Sequence, residues 1–116
     1  MIQRDRLVED FEAMSQFTEP GEGINRLAFT DADWVGRQYI MDRMIDAGLT
    51  VETDGFGNVI GYKLGKNPEL PVVMVGSHTD SVPNGGNYDG VVGVLSAIEA
   101  VRSMNDDGFE HDHTIA

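Results

Sequence analysis

The run LPVVMVGS, residues 70 to 77, constrains the fold of this chain more than any other segment. It is apolar without alternation, which is typical of a central β-strand covered on both faces. A helix is predicted over residues 89 to 104, after a glycine-rich loop. The residues on one side of that helix are Val91, Val94, Leu95, Ile98, Val101 and Met104. A buried strand followed by a helix indicates an α/β fold in which helices pack on a sheet.

Two amphipathic helices are predicted before this strand. In residues 3 to 17 the apolar side chains recur at helical spacing, namely at Leu7, Phe11, Met14 and Phe17. Thr30 with Asp33 forms a capping-box start for the second helix, and Gly48 suits its end. The apolar stripe of this second helix is predicted to hold Trp34, Met41, Met44 and Ile45.

Short strands complete the predicted order of elements. LTVET and NVIGYKL, separated by DGFG, are predicted to form a hairpin, because the glycines permit the backbone angles of a tight connection. HTIA at the end of the sequence has the pattern of a strand that is just beginning. We therefore expect a truncated α/β domain.

Length and composition limit the possible functions. The chain has 116 residues, which suits one globular domain over residues 1–116. No apolar run approaches the ~18 residues of a membrane helix and the first residues are charged, so we expect a cytoplasmic protein without membrane contacts. A net charge of -12 disfavours nucleic acid and anionic membranes as partners. Because the chain has no cysteine, any metal must be held by nitrogen and oxygen.

Chemistry-bearing side chains cluster in GSHTDSVPNGGNYDGVVGV, residues 76 to 94. His78 and Asp80 project to the same side where the predicted strand ends, and ligands bind at that end of open α/β sheets. Asp89, at the start of the next helix, can return to the same crevice, and imidazole with carboxylates can bind Zn²⁺ or similar ions. Structural roles fit the spacing equally well: His78 hydrogen-bonded at a strand end, Asp80 forming a turn, and Asp89 capping the helix. Spacing alone leaves both interpretations open.

The segment GSHTDSVPNGGNYDG resembles the metal-binding segment of the M20 metallopeptidase and amidohydrolase superfamily. The segments GEGINRLAFTDAD and DGFGNVIG are similar to its hydantoinase/carbamoylase branch, so the resemblance covers nearly the whole chain in order. That branch includes N-carbamoyl-L-amino-acid hydrolases, allantoate amidohydrolases and β-ureidopropionase. The resemblance implies the N-terminal part of a zinc-exopeptidase-like three-layer α/β/α catalytic domain.

The resemblance also implies specific roles in a centre of two divalent metal ions (Zn, Mn, Co or Ni). His78 would be a terminal ligand of one metal, and Asp89 would bridge the two metals. Asp80 would act in catalysis without touching metal, by orienting His78. A cis peptide bond is implied between Asp89 and Gly90, where metal coordination would offset its cost of ~3 kcal/mol.

The remaining family residues are expected outside this chain. In the family, an adjacent pair of glutamates supplies the general base and a ligand, two more histidines come later, and an inserted domain mediates dimerisation. Glu99, within the predicted helix, and Glu110, in a polar loop, do not replace these glutamates. His111 and His113 are interpreted as part of a solvated loop. We expect a fragment that is inactive alone, from a homodimeric parent protein.

Three functions are consistent with these patterns. The first is a binuclear-metal amidohydrolase that cleaves a C–N bond of an N-carbamoyl-L-amino acid or a related small ureido substrate. The second is a peptidase or deacylase of the same superfamily, which acts on ordinary amides. The third is a truncated, non-catalytic paralogue that keeps the α/β layer as a binding or structural module.

Overall fold

The computed structural model describes all residues from Met1 to Ala116. Its elements are three helices and two strands. They are α1 (Arg4–Ser15), α2 (Asp31–Asp46), β1 (Thr50–Thr53), β2 (Val59–Tyr62) and α3 (Val91–Asp106). The predicted helices and hairpin are confirmed, as is the α/β character of the chain. No helix is both long enough and apolar enough to cross a membrane.

The core lies among the three helices. Its buried residues are Met14, Ile40, Ala47, Val91, Leu95, Ile98 and Val101. On α1 and α3 these are positions that the helical spacing predicts, since residues three or four apart share one face. Leu7, Phe11 and Phe17 are partly buried against the same cluster. Burial of these apolar faces against one another holds the helices together.

The buried face of α2 agrees with the predicted stripe only in part, since Met44 packs against the core. Trp34 is 47% exposed and Ile45 57% exposed, whereas Gly36 and Ile40 face inward. The side chain of Arg26 lies against this inward face: a Cβ added at Gly36 would be 3.0 Å from Cδ of Arg26. A small residue therefore suits position 36.

The sheet is built from the hairpin and two short flanking segments. β1 and β2 pair antiparallel in the register Thr50↔Tyr62. Ile115 then pairs antiparallel with Lys63 on one side and parallel with Val73 on the other. The prediction that HTIA begins a strand is therefore confirmed, and this segment joins residues 73–75 to the hairpin.

The prediction of a buried central strand at residues 70–77 is wrong for this chain. Val73 and Val75 donate backbone hydrogen bonds to Thr114 and Ala116, but the segment forms only this one ladder. Its apolar side chains are exposed, with Met74 at 66%. A central strand needs a partner along each edge and a layer on each face, whereas the residues of this chain pair with the segment along one edge only.

Candidate metal site

The end of the 73–75 segment meets the start of α3, and this junction brings His78, Asp80 and Asp89 together. Nδ1 of His78 is 3.4 Å from Oδ1 of Asp80, and Nε2 of His78 is 3.7 Å from Oδ1 of Asp89. All three side chains are accessible, with exposures of 53%, 43% and 74%. The juxtaposition expected from the sequence is therefore present.

The surroundings of the His78 ring determine which nitrogen is available to a ligand. Nδ1 lies 3.0 Å from the backbone carbonyl oxygen of Asp80. Because a carbonyl only accepts, this contact is a hydrogen bond when Nδ1 carries the proton, and neutral imidazole then has its lone pair on Nε2. Nε2 is the nitrogen that faces Asp89, so the ring presents its lone pair to the Asp89 carboxylate across a gap.

The side chain of Asp89 does not cap α3. The N-cap position of the helix is Gly90, and no side chain donates or accepts a capping hydrogen bond there. Asp89 contacts only His78 among the charged groups of the chain. The structural alternative for this residue, a helix cap, therefore does not apply, and its carboxylate is free to bind another group.

The spacing of His78 and Asp89 fits two ligands of one metal ion. Ligand atoms bound to tetrahedral Zn²⁺ at ~2.0–2.1 Å lie about 3.4 Å apart, and the observed Nε2 to Oδ1 distance is 3.7 Å. At this distance Nε2 of His78 and Oδ1 of Asp89 do not form a direct hydrogen bond. A divalent cation with nitrogen and oxygen preference fits this donor set.

Asp80 contacts His78 with both its backbone and its side chain. The backbone oxygen accepts from Nδ1, and the carboxylate lies close to the same nitrogen. Such a contact fixes the ring orientation and raises the basicity of the opposite nitrogen. The geometry is compatible with the orienting role that the resemblance implies for Asp80.

Two glycines of α3 allow the helix to approach His78. A Cβ added at Gly90 would lie 2.5 Å from Nδ1 of His78, and one added at Gly93 would lie 2.6 Å from Cβ of Ser77. Gly90 also has φ +72°, which favours glycine. The expected cis bond between Asp89 and Gly90 is wrong, because the chain has no cis peptide bond; the left-handed φ of Gly90 turns the backbone instead.

Residues 24–26 form hydrogen bonds with the loop that carries His78 and Asp80. Ile24 and Gly85 exchange backbone hydrogen bonds of 3.0 and 2.8 Å, and Ser81 N donates to the Arg26 carbonyl at 2.8 Å. Nε of Arg26 donates to the carbonyl of Thr79 at 2.7 Å, between His78 and Asp80. The sequence interpretation did not identify Arg26 as a site residue. The one sequence feature that singles it out is that Arg26 is the only basic residue between Arg6 and Arg37.

The other candidate residues lie outside this junction. His111 and His113 use Nδ1 for contacts with the backbone oxygens of His113 and Pro71, in agreement with a loop role. Glu99 is buried in an ion pair with Arg6, and Glu110 forms an exposed pair with Lys66. No group of three or more His, Asp or Glu side chains is arranged to hold a metal ion, so His78 and Asp89 form only a partial ligand set.

A cleft of about 650 Å³ extends from the site between the helices and the sheet. His78 and Asp80 lie on its wall together with Arg37 of α2 and Asp54 of the hairpin turn. Nε of Arg37 donates to the buried Asp33 at 3.0 Å and Nη1 donates to the Gly57 carbonyl at 2.5 Å. Arg37 thereby connects α2 to the hairpin at the wall of the cleft.

Comparison with known proteins shows which proteins the chain resembles. No protein-family model matches the chain. It is 43% identical over 115 residues to an N-carbamoyl-L-amino-acid amidohydrolase of Pseudomonas sp. (strain NS671), covering 98% of this chain and 28% of the relative. It is 43% identical over 105 residues to a ureidoglycolate hydrolase of Arabidopsis thaliana, covering 90% of this chain and 22% of the relative.

Comparison of the backbone with solved structures finds similar proteins. A crystal structure of a hydantoinase/carbamoylase family amidase from Burkholderia multivorans superposes with a TM-score of 0.92 at 40% identity, over 98% of this chain and 28% of that protein. The chain thus spans about a quarter of the length of the relatives that it matches. Sequence and backbone agree over nearly all of its residues, so the chain is similar along its length to one part of the amidohydrolases of the hydantoinase/carbamoylase family.

Proposed function

We propose that the protein carrying this chain is a metal-dependent amidohydrolase that cleaves a linear C–N amide bond in an N-carbamoyl-L-amino acid or a related ureido compound. One observation carries the proposal: Nε2 of His78 lies 3.7 Å from the solvent-accessible carboxylate of Asp89, at a helix start where no side chain forms a capping hydrogen bond. The names of the relatives support the ureido class, since they are N-carbamoyl-L-amino-acid amidohydrolases and ureidoglycolate hydrolases.

His78 and Asp89 would hold the metal in this proposal. His78 would bind a metal ion through Nε2, and Asp89 would supply an anionic oxygen as a further ligand. Zn, Mn, Co or Ni suits these donors, because the chain has no thiolate. When bound, two divalent ions supply Lewis acidity toward water and the scissile carbonyl.

Asp80 would keep His78 in the binding orientation. Its backbone oxygen accepts from Nδ1–H, which holds the proton away from the ligand nitrogen. Its carboxylate, 3.4 Å from Nδ1, attracts partial positive charge that develops on the ring when Nε2 binds a cation. These contacts would favour the tautomer that leaves Nε2 available to a metal ion.

The proposal assigns the other functions to the remainder of the protein. Two ligand side chains cannot enclose an ion, and no accessible carboxylate of this chain besides Asp80 approaches the His78 ring and Asp89 as a proton acceptor. Further metal ligands, the general base, most substrate contacts and a dimerisation domain would therefore come from residues outside this chain. A cytoplasmic location and a homodimeric state remain part of the proposal.

Activity assays of the full-length protein test the proposal. We expect turnover of N-carbamoyl-L-amino acids or ureidoglycolate in preference to matched N-acetyl amino acids, and loss of turnover on chelation. His78→Ala and Asp89→Ala should each lower kcat/KM by at least ~10³-fold, because each removes a metal ligand. His113→Ala is the matched control, since its ring contacts only the Pro71 carbonyl.

Two results would refute parts of the proposal. Full activity of His78→Ala and Asp89→Ala would exclude the metal-site assignment. Preferential turnover of the N-acetyl substrates would replace the ureido class with the deacylase class, while leaving the metal site in place.

A further inference from the structure

Arg26 is a buried cation directly beneath the candidate metal site. Its side chain is 1% exposed. It forms no ion pair within 4 Å, and its hydrogen bonds run to three backbone carbonyls: Nε to Thr79 at 2.7 Å, and Nη1 to Met14 at 2.9 Å and Phe17 at 2.7 Å. The guanidinium therefore connects the end of α1 to the peptide between His78 and Asp80.

Such a residue is costly to maintain. Burial of a cation without a paired anion is opposed by desolvation, and burial lowers the pKa of Arg26 against the weaker attraction of Asp33 and Asp80. An apolar side chain of similar length would fill this space at a smaller cost. A guanidinium at this position therefore depends on polar partners, and backbone carbonyls at the end of α1 and at Thr79 supply them.

Besides the two bonds of Nη1 to the carbonyls of Met14 and Phe17, Arg26 makes three hydrogen bonds to residues 79–81. The side chain fixes the Thr79 carbonyl, the Arg26 carbonyl accepts from Ser81 N at 2.8 Å, and Arg26 N donates to Oγ of Ser81 at 2.9 Å. The orientation of the 79–81 backbone determines where the Asp80 carbonyl points, and this carbonyl binds Nδ1 of His78.

A glycine of α2 leaves room for the Arg26 side chain. Gly36 of α2 lies against it, and a Cβ there would be 3.0 Å from Cδ and 3.6 Å from Nε of Arg26. The aliphatic part of the arginine thus lies between α2 and the site backbone. Its position is set by helix packing and by the three carbonyls together, so the guanidinium is preorganised.

We propose that Arg26 is a positioning residue for the metal ligands: by holding the Thr79 carbonyl it sets the 79–81 backbone, and through Asp80 it sets the ring of His78. This inference rests on the proposed metal site. Arg26 touches neither substrate nor metal. Its removal should loosen the His78 ring and weaken metal binding, beyond any loss of global stability.

Metal affinity of the full-length protein tests the inference, with Co²⁺ as the probe. Competition with a chelator gives the affinity, and the visible absorption of bound Co²⁺ reports the ligand geometry. We expect Arg26→Met to weaken Co²⁺ binding at least tenfold and to alter the absorption bands. Arg6→Met is the matched control, because Arg6 also bonds a buried partner, Glu99, whose position two turns into α3 lies far from His78. It should lower the melting temperature and leave Co²⁺ binding within about twofold of wild type.

Each outcome is decisive. Wild-type Co²⁺ affinity and absorption in folded Arg26→Met would overturn the inference and leave the proposed metal site intact. Failure of the wild-type protein to bind Co²⁺ would overturn the metal site and the inference together. If Arg26→Met does not fold, Arg26→Lys decides, because it keeps the cation but its single ammonium cannot reproduce the planar set of bonds: weakened Co²⁺ binding supports the inference and unchanged binding overturns it.

Discussion

Glu99 gives the protein a defined dependence of stability on pH. Its side chain is 1% exposed, inside α3. The carboxylate accepts two hydrogen bonds from Arg6, at 2.7 and 2.9 Å, one from the backbone N of Gln3 at 2.8 Å and one from Ser103 at 3.2 Å. These bonds join the start of α1 to α3, and their strength requires that Glu99 is ionised.

The magnitude follows from the pKa of Glu99. Burial raises that pKa, but the hydrogen bonds from Arg6 and Gln3 outweigh burial and lower it from 4.5 to about 2. The difference corresponds to about 3 kcal/mol of folding free energy. Because the pKa is lower in the folded state, this stability is present in full above about pH 4.5 and is lost as the pH falls toward 2.

Urea unfolding at several pH values tests this prediction. We expect Glu99→Gln to cost about 3 kcal/mol at pH 7 and progressively less between pH 4.5 and 2, where the wild-type carboxylate becomes protonated. Glu110→Gln is the control, since its pair with Lys66 is exposed and should contribute less than about 1 kcal/mol. A cost of Glu99→Gln that stays constant from pH 7 to 2.5 would refute the assignment of the pH dependence to Glu99.

Two further predictions concern the metal site. Gly90→Ala should destabilise the protein by about 2–4 kcal/mol in urea unfolding, because its Cβ meets the His78 ring; Gly48→Ala, at φ +80° with open space around it, should cost about 1 kcal/mol, and equal costs would contradict the close contact. The 116-residue chain alone should bind Zn²⁺ with a Kd weaker than about 1 μM, because two ligands cannot enclose the ion. Tight stoichiometric binding in calorimetry would disprove this.

The elements that were predicted correctly are those whose signal is local. Helical spacing on α1 and α3 identified Met14, Leu95 and Ile98 as core residues, because the helix period alone brings them to one face. The DGFG turn identified the hairpin because its geometry depends on a few adjacent residues. In the same way, the short separation of His78 and Asp80 was sufficient to predict that they lie together.

The predictions that failed depend on what lies beside an element. Residues 70–77 have the composition of a central strand, but burial of a strand requires neighbours on both edges, and here only residues 114–116 pair with it. In α2, Trp34 and Ile45 of the predicted stripe are exposed, and the inward face includes Gly36, which lies against Arg26. Neither the absent neighbour nor the inserted side chain can be inferred from periodicity within the element.

The sequence by itself determined the family resemblance, the helices, the hairpin and the three candidate residues of the site, because each of these is encoded in a contiguous pattern. Tertiary structure decided which nitrogen of His78 is available, that Asp89 leaves α3 uncapped, and that Arg26 lies beneath the site. The position of Arg26 depends on contacts between segments 50 or more residues apart, such as its hydrogen bond to Thr79, and the available nitrogen of His78 depends on how the backbone of residues 78–80 is folded. Such contacts exist only once the helices have packed, so no local pattern in the sequence records them.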